Sequence, residues 1–182
     1  MKTIALFGGS FDPPHVGHLA IVNALRSLDF IDEVVIMPTF LNPFKSSFYA
    51  PGELRLQWLK EMFNDAKNVV VSNFEITQNS ATPTIKSVNY LLKKYAKIYL
   101  VIGADNLASL KQWHNYEELI SKVNFIVAPR DGIFIPKDFL VLNVDENISS
   151  TQIRKGEKQH SLSHTCAVEI EKFYKDLNER NS

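Results

Sequence analysis

Two hydrophobic rhythms alternate along this chain. Short runs of consecutive apolar, largely β-branched residues predict strands at Ile4–Phe7, Glu33–Met37, Val69–Asn73, Ile98–Ile102, Phe125–Ala128 and Leu140–Asn143. Runs such as Tyr99-Leu100-Val101-Ile102 carry no polar alternation, the pattern of strands covered on both faces of a parallel sheet. Between the runs, apolar residues at helical spacing predict helices over roughly His18–Leu28, Gly52–Phe63, Pro83–Tyr95, Tyr116–Ser121 and Cys166–Leu177. In the third, Thr82 reads as the cap and Pro83 as the first helical residue, ahead of an apolar face of Ile85, Val88, Leu91, Leu92 and Tyr95. This alternation predicts an α/β fold: a parallel sheet with helices on both faces, right-handed crossovers and a helical segment at the C-terminus.

The 182 residues, 45% hydrophobic and 22% charged, suit one globular domain over 1–182, its C-terminal helical part spanning about 149–182. Formal net charge is zero, which gives no electrostatic case for nucleic acid or an anionic membrane as partner. No stretch approaches the roughly 20 apolar residues that cross a bilayer, and no secretory leader is visible, so the chain reads as cytoplasmic. Cys166 is the only cysteine; it reads as a thiol on the last helix and excludes internal disulfides or a cysteine metal cage. His160 and His164 lie in a polar stretch and read as exposed. The composition leaves the oligomeric state open.

Candidate chemistry concentrates where the first strand meets the first helix, in Gly8-Gly9-Ser10-Phe11-Asp12-Pro13-Pro14-His15-Val16-Gly17-His18. Gly8 and Gly9 would admit a phosphate and adopt dihedrals closed to other residues. Ser10 offers a hydroxyl and a backbone donor, with Phe11 beside it. Gly17 leaves room at a helix start, where free N–H groups favour an anion. One helical turn would bring His15 and His18 to the same side. The segment is neither a dinucleotide fingerprint nor a P-loop. Two histidines there suit phosphoryl transfer, holding phosphate oxygens as charge builds; structurally, His15 could instead cap the helix with His18 packed beneath it. The long connection from Pro38 to Pro51, rich in aromatics, lies beyond the strand ends, where sheets of this kind bind ligands.

This segment resembles the signature of the H-x-G-H nucleotidylyltransferases. Near the C-terminus, Ile148-Ser149-Ser150-Thr151-Gln152-Ile153-Arg154 reads as a capped helix start followed by a phosphate-binding arginine, and resembles that superfamily's second motif. The resemblance implies a Rossmann-like parallel sheet and direct attack of an acceptor phosphate on the α-phosphate of ATP, without a covalent enzyme intermediate. It implies Mg2+ carried on the ATP phosphates, with no direct protein ligands. His15 would then hold the triphosphate and His18 stabilise the transition state. Ser150, Thr151 and Arg154 would close over the outer phosphates.

Gly103-Ala104-Asp105-Asn106, Trp113 and Arg130-Asp131-Gly132, together with Glu75 and Thr82-Pro83-Thr84, resemble bacterial nicotinate mononucleotide adenylyltransferases over nearly the whole chain. On that resemblance Trp113 would stack on the pyridine ring of nicotinate mononucleotide. Thr82 and Thr84 would lie at its carboxylate, with Lys45 in the nearby loop and Arg130 near the acceptor phosphate. Gly103 and Asp105 would serve the ATP side, Asp105 at ribose hydroxyls or the metal. Departures from the family pattern fall at Pro83, where tyrosine is usual, at Phe44, where histidine is usual, and at His114, where tyrosine is usual. Other acceptors remain open: nicotinamide mononucleotide, or phosphopantetheine as in pantetheine-phosphate adenylyltransferase. So does a nucleotide-sensing module without turnover.

Overall fold

The computed structural model describes residues 1–130, 132–144, 149–157 and 166–182. Asp131, Ile148, His160 and His164, all singled out above, lie outside the described residues. Six parallel strands form one sheet: β1 (Thr3–Gly9), β2 (Glu33–Pro38), β3 (Val69–Val71), β4 (Lys97–Gly103), β5 (Val123–Ala128) and β6 (Leu140–Val141), in the order β3-β2-β1-β4-β5-β6. The winding direction reverses between β1 and β4. A crevice opens there beyond the strands' carboxyl ends, the usual ligand position of a doubly wound sheet.

The pleat divides the core in two. Ile4 and Leu6 of β1 enter one cluster with Ile85, Val88 and Leu91 of α4 (Thr84–Leu91) and Leu119 of α5 (Tyr116–Lys122). Ala5 and Phe7 enter the other with Val22 and Leu25 of α1 (Val16–Arg26) and Leu59 of α2 (Gly52–Met62). Side chains alternating across a strand therefore serve opposite faces, which is why the central runs are apolar throughout. The short α3 (Phe74–Thr77) precedes α4.

The C-terminal pair α6 (Ser150–Arg154) and α7 (Ala167–Arg180) packs on the outer side of α2, where Trp58, Ala50, Ile153, Cys166, Ile170 and Tyr174 form a third cluster. Trp58 is fully buried, a burial worth on the order of 3 kcal/mol. Cys166 sits buried just before α7, its Sγ 3.6 Å from the Trp58 carbonyl, and burial pushes its thiol up to about 12. Among the described residues no helix is long and apolar enough to cross a membrane.

Several boundaries differ from the sequence expectation. β1 continues two residues past Phe7, because Gly8 and Gly9 pair with Met37 and Pro38 of β2. β3 stops at Val71, since Ser72 and Asn73 turn the chain into α3, with the Phe74 N–H on Ser72 Oγ. β6 keeps only Leu140 and Val141 at an exposed edge. Pro83 is extended (φ −62°, ψ 140°) and occupies the cap position of α4, so Thr84 is its first residue. Thr82, expected as the cap, instead donates its hydroxyl to the Ser80 carbonyl at 3.3 Å. A 3₁₀ helix over Ala104–Gln112 follows β4, where the sequence pattern predicted no element.

Candidate active site

The turn after β1 is arranged around the start of α1. His15 is extended (φ −152°, ψ 175°) and caps the helix: its Nδ1 accepts the Gly17 N–H at 3.1 Å, and its own N–H donates to His18 Nδ1 at 3.1 Å. The two rings lie 3.8 Å apart. This reciprocal bonding makes each Nδ1 an acceptor and leaves the proton of an uncharged His18 on Nε2. His18 is half-buried against Phe11, at 4.8 Å, and Phe7. Desolvation, reinforced by His15 and Arg130, holds its pKa well below the ordinary histidine value, so at neutral pH it stays an uncharged donor. The capping and catalytic readings of His15 are thus compatible, because the cap uses only one ring nitrogen.

The glycines do something other than expected. Neither Gly8 nor Gly9 has positive φ; the left-handed residue of the turn is Phe11 (φ 48°). As strand residues they contribute bare Cα faces instead. A Cβ at Gly9 would come within 3.2 Å of the Phe11 ring. At Gly103, at the end of β4, a Cβ would collide with Asp105 Oδ1.

The second motif reaches this turn across the whole chain. Ser149 caps α6 by accepting the Gln152 N–H. Ser150 Oγ donates to the Pro13 carbonyl at 2.8 Å, and Arg154 Nη1 donates to the Asp12 carbonyl at 2.5 Å. Arg154 also donates to Thr151 Oγ1 at 3.1 Å and lies over the Tyr49 ring at 4.4 Å. Motif residues 137 and 142 positions apart are therefore in direct contact.

Two charged residues that sequence reasoning missed hold this assembly. Asp12 is buried: its carboxylate accepts the Tyr49 N–H at 2.8 Å, the Ala50 N–H at 2.9 Å and the Tyr174 hydroxyl. Arg55, also buried, donates to the carbonyls of Ser10, Thr39, Phe40 and Ala50 at 2.6–3.0 Å. Together they fasten the 38–51 loop, the turn and α7 to one another. A signal for Arg55 existed: it stands in phase with Gly52, Leu56 and Leu59 on the buried face of α2. Asp12 lies inside the first motif, but its partners are 37 to 162 residues away.

A cleft of ≈ 210 Å³ opens at the winding reversal. Gly8, Gly9, Thr39 and Gly103 line it from the strand ends, with Asn42 and Phe44 from the loop. Thr82, Thr84, Glu75, Ser87, Trp113 and His114 line its other side. Lys45 is exposed on the loop and is not among the lining residues. Arg130 lies elsewhere, in a small crevice with His15, Gly17 and His18, and its Nε is 3.8 Å from Asp105 Oδ1. The structure thus brings Arg130 to the histidines, and Thr82, Thr84 and Trp113 to the cleft.

Glu75 is 6% exposed; its Oε1 accepts the Ser87 hydroxyl at 2.6 Å while Oε2 has no partner. Burial pushes its carboxyl up to about 7, against the opposing Ser87 bond.

Comparison with known proteins agrees with this geometry. The cytidylyltransferase-like family model matches residues 6–156. A protein of Sulfurimonas denitrificans named "Probable nicotinate-nucleotide adenylyltransferase" is 57% identical over 97% of both chains. A protein of the same name from Nitratiruptor is 47% identical, over 94% of this chain and 98% of its own. The solved structure of a Plasmodium falciparum nicotinic acid mononucleotide adenylyltransferase, complexed with NaAD, shares the fold with a TM-score of 0.78. It is 21% identical and is matched over 98% of this chain and 97% of its own. With its two motifs joined at the winding reversal of the sheet, this chain belongs to the nicotinate-nucleotide adenylyltransferases of the cytidylyltransferase-like family.

Proposed function

We propose that this protein transfers AMP from ATP to nicotinate mononucleotide, giving deamido-NAD and pyrophosphate. The observation that carries the reading is the docking of Ser150 and Arg154 on Pro13 and Asp12, in the turn that follows Gly8 and Gly9, two glycines lining the same cleft as Thr84 and Trp113. An oxygen of the acceptor phosphate attacks the α-phosphorus, and the bond to the β-phosphate bridging oxygen breaks. Pyrophosphate leaves with that electron pair. The protein's part is alignment and charge stabilisation. His15 and His18 each present an Nε2–H to phosphate oxygens. The uncharged His18 donates through Nε2–H, a bond that strengthens as negative charge grows at the α-phosphate.

Arg154 faces the outer phosphates with Thr151 and Ser150, while Gly8, Gly9 and Gly103 admit the nucleotide at the strand ends. Ser10 and Phe11 shape the turn beneath it, and Gly17 opens the helix start. Magnesium would enter on the ATP phosphates and supply charge neutralisation there. The fit is in the donors: nitrogens and hydroxyls suited to phosphate oxygens, with the exposed carboxylate of Asp105 at the end of β4 available to the metal's water shell or the ribose. Thr82 and Thr84 face the acceptor's ring substituent, Trp113 its ring, and Lys45 approaches with the loop. Arg130 serves the phosphates from the histidine side. ATP and nicotinate mononucleotide are the partners of this reading, and its place is the cytoplasm.

The test is pyrophosphate release with ATP and magnesium, offering nicotinate mononucleotide, nicotinamide mononucleotide and phosphopantetheine in parallel. Release with nicotinate mononucleotide is expected. Release only with another acceptor overturns the acceptor assignment. ATP-dependent thermal stabilisation without any release would make the protein a sensor.

A further inference from the structure

Buried polar atoms in a folded protein are almost always hydrogen-bonded, so unpaired ones call for a cause. Among the described residues, buried side-chain atoms without a partner are Thr39 Oγ1, Trp58 Nε1, Glu75 Oε2 and Trp113 Nε1. Three of these four residues, all but Trp58, line the same cleft. The donors and acceptors missing from the fold are therefore those an occupant of the cleft would supply. Trp113 can only donate and Thr39 can do either, but Glu75 does one or the other according to its proton.

We propose that Glu75 determines the choice between a carboxylate and a carboxamide on the pyridine ring of the acceptor, binding the carboxylate as a protonated donor and the carboxamide as an ionised acceptor. This rests on the pyridine nucleotide reading given above. Ser87 fixes Oε1 at 2.6 Å, so the Glu75 carboxyl has one oxygen left for the occupant. A seated nicotinate carboxylate would oppose an ionised Glu75, since two like charges cannot share one dry site. The proton therefore stays on Oε2 and is donated to the ligand in a charge-assisted bond. A carboxamide reverses the demand, its N–H donating to the ionised form. Glu75 titrates near neutrality because it is buried, so the choice varies within the accessible pH range.

Other charged groups around the site are engaged or common to both ligands. On α4, Lys86 donates to Gln78 at 2.8 Å; on α2, Arg55 is held by four carbonyls; Asp105 faces Arg130. Lys45 is exposed on the loop, and His114 lines the cleft. None of these is altered by a change at Glu75.

The experiment compares kcat/KM for nicotinate and nicotinamide mononucleotides from about pH 6 to about pH 9, in the wild type and Glu75→Gln. Titration of the acceptor phosphate is common to both substrates and cancels in their ratio. In the wild type the preference for nicotinate should fall by about tenfold or more as pH rises. Glu75→Gln cannot ionise and should show a flat ratio, with the KM for ATP unchanged. A wild-type ratio that does not move with pH overturns the assignment, as does a Glu75→Gln profile that follows the wild type. A flat wild-type profile overturns the assignment even if the variant folds poorly. A wild type that uses neither pyridine nucleotide overturns the underlying functional reading itself.

Discussion

At the histidine turn, the ring nitrogens that cap α1, the Ser150 hydroxyl and the Arg154 guanidinium all find partners within the protein. In the cleft a few residues away, Thr39, Glu75 and Trp113 each keep a buried polar atom without one. The first region is held in place by its own bonds before any ligand arrives, and the second keeps buried polar atoms for its ligand to pair. The difference follows from what each must do. Phosphates present many equivalent oxygens to a fixed set of donors, so rigidity costs little selectivity. Telling one ring substituent from another requires polar groups that are unsatisfied unless the right partner arrives.

The comparison breaks most directly at Arg55, which joins the two regions. Arg55→Met leaves four carbonyls, one buried and three partly buried, without their donor and should cost about 3 kcal/mol, read as a lowered midpoint in urea unfolding. A stability within error of the wild type would show that the loop is held by other means. Next comes His18→Ala, which should lower kcat by ~10²–10³-fold with little change in KM for ATP. Loss of ATP affinity alone would move His18 from transition-state stabilisation to ground-state binding.

Third is the pH dependence of folding. Glu75 is raised from 4.5 to about 7, so between those values the folded state holds a proton that the unfolded chain has released. Its stabilising contribution is full below about pH 4.5 and is lost as pH rises through about 7, a change of at most about 3 kcal/mol. His18, depressed below its ordinary 6.5, acts oppositely: its contribution is full above that value and is lost as pH falls below it. The stability difference between wild type and Glu75→Gln, measured against pH, isolates the glutamate. A constant difference would place the carboxyl in water.

The smallest effect sharpens the contrast. Thr39→Val removes a hydroxyl that has no partner and should change stability by no more than ~0.5 kcal/mol, while raising KM for the acceptor a few-fold. A marked loss of stability would show that the oxygen is already satisfied.

How much of this was legible beforehand differs between the same two regions. The strand runs and the helical faces gave the α/β alternation, because a strand covered on both faces has to be apolar at every position. The histidine turn was legible because its capping partners lie within three residues of one another. Glu75 entered only as part of a family resemblance, Asp12 only as a residue of the first motif with no role of its own, and Arg55 not at all, since their meaning lies in their burial and in distant partners. Thr82 misled because a threonine before Pro-Thr looks like a cap, and only the extended Pro83 backbone shows otherwise.

By itself, then, the sequence determined the sheet, its crossover helices and the local geometry that arms two histidines at a helix start. These depend on residue type and short-range spacing, which the chain carries wherever it goes. The tertiary structure alone decided that Ser150 and Arg154 close on Pro13 and Asp12, that Arg55 lies under the loop, and that one Glu75 oxygen is left unpaired in the cleft. Desolvation and long-range hydrogen bonding arise only once the chain has excluded water, so no local pattern of residues can record them.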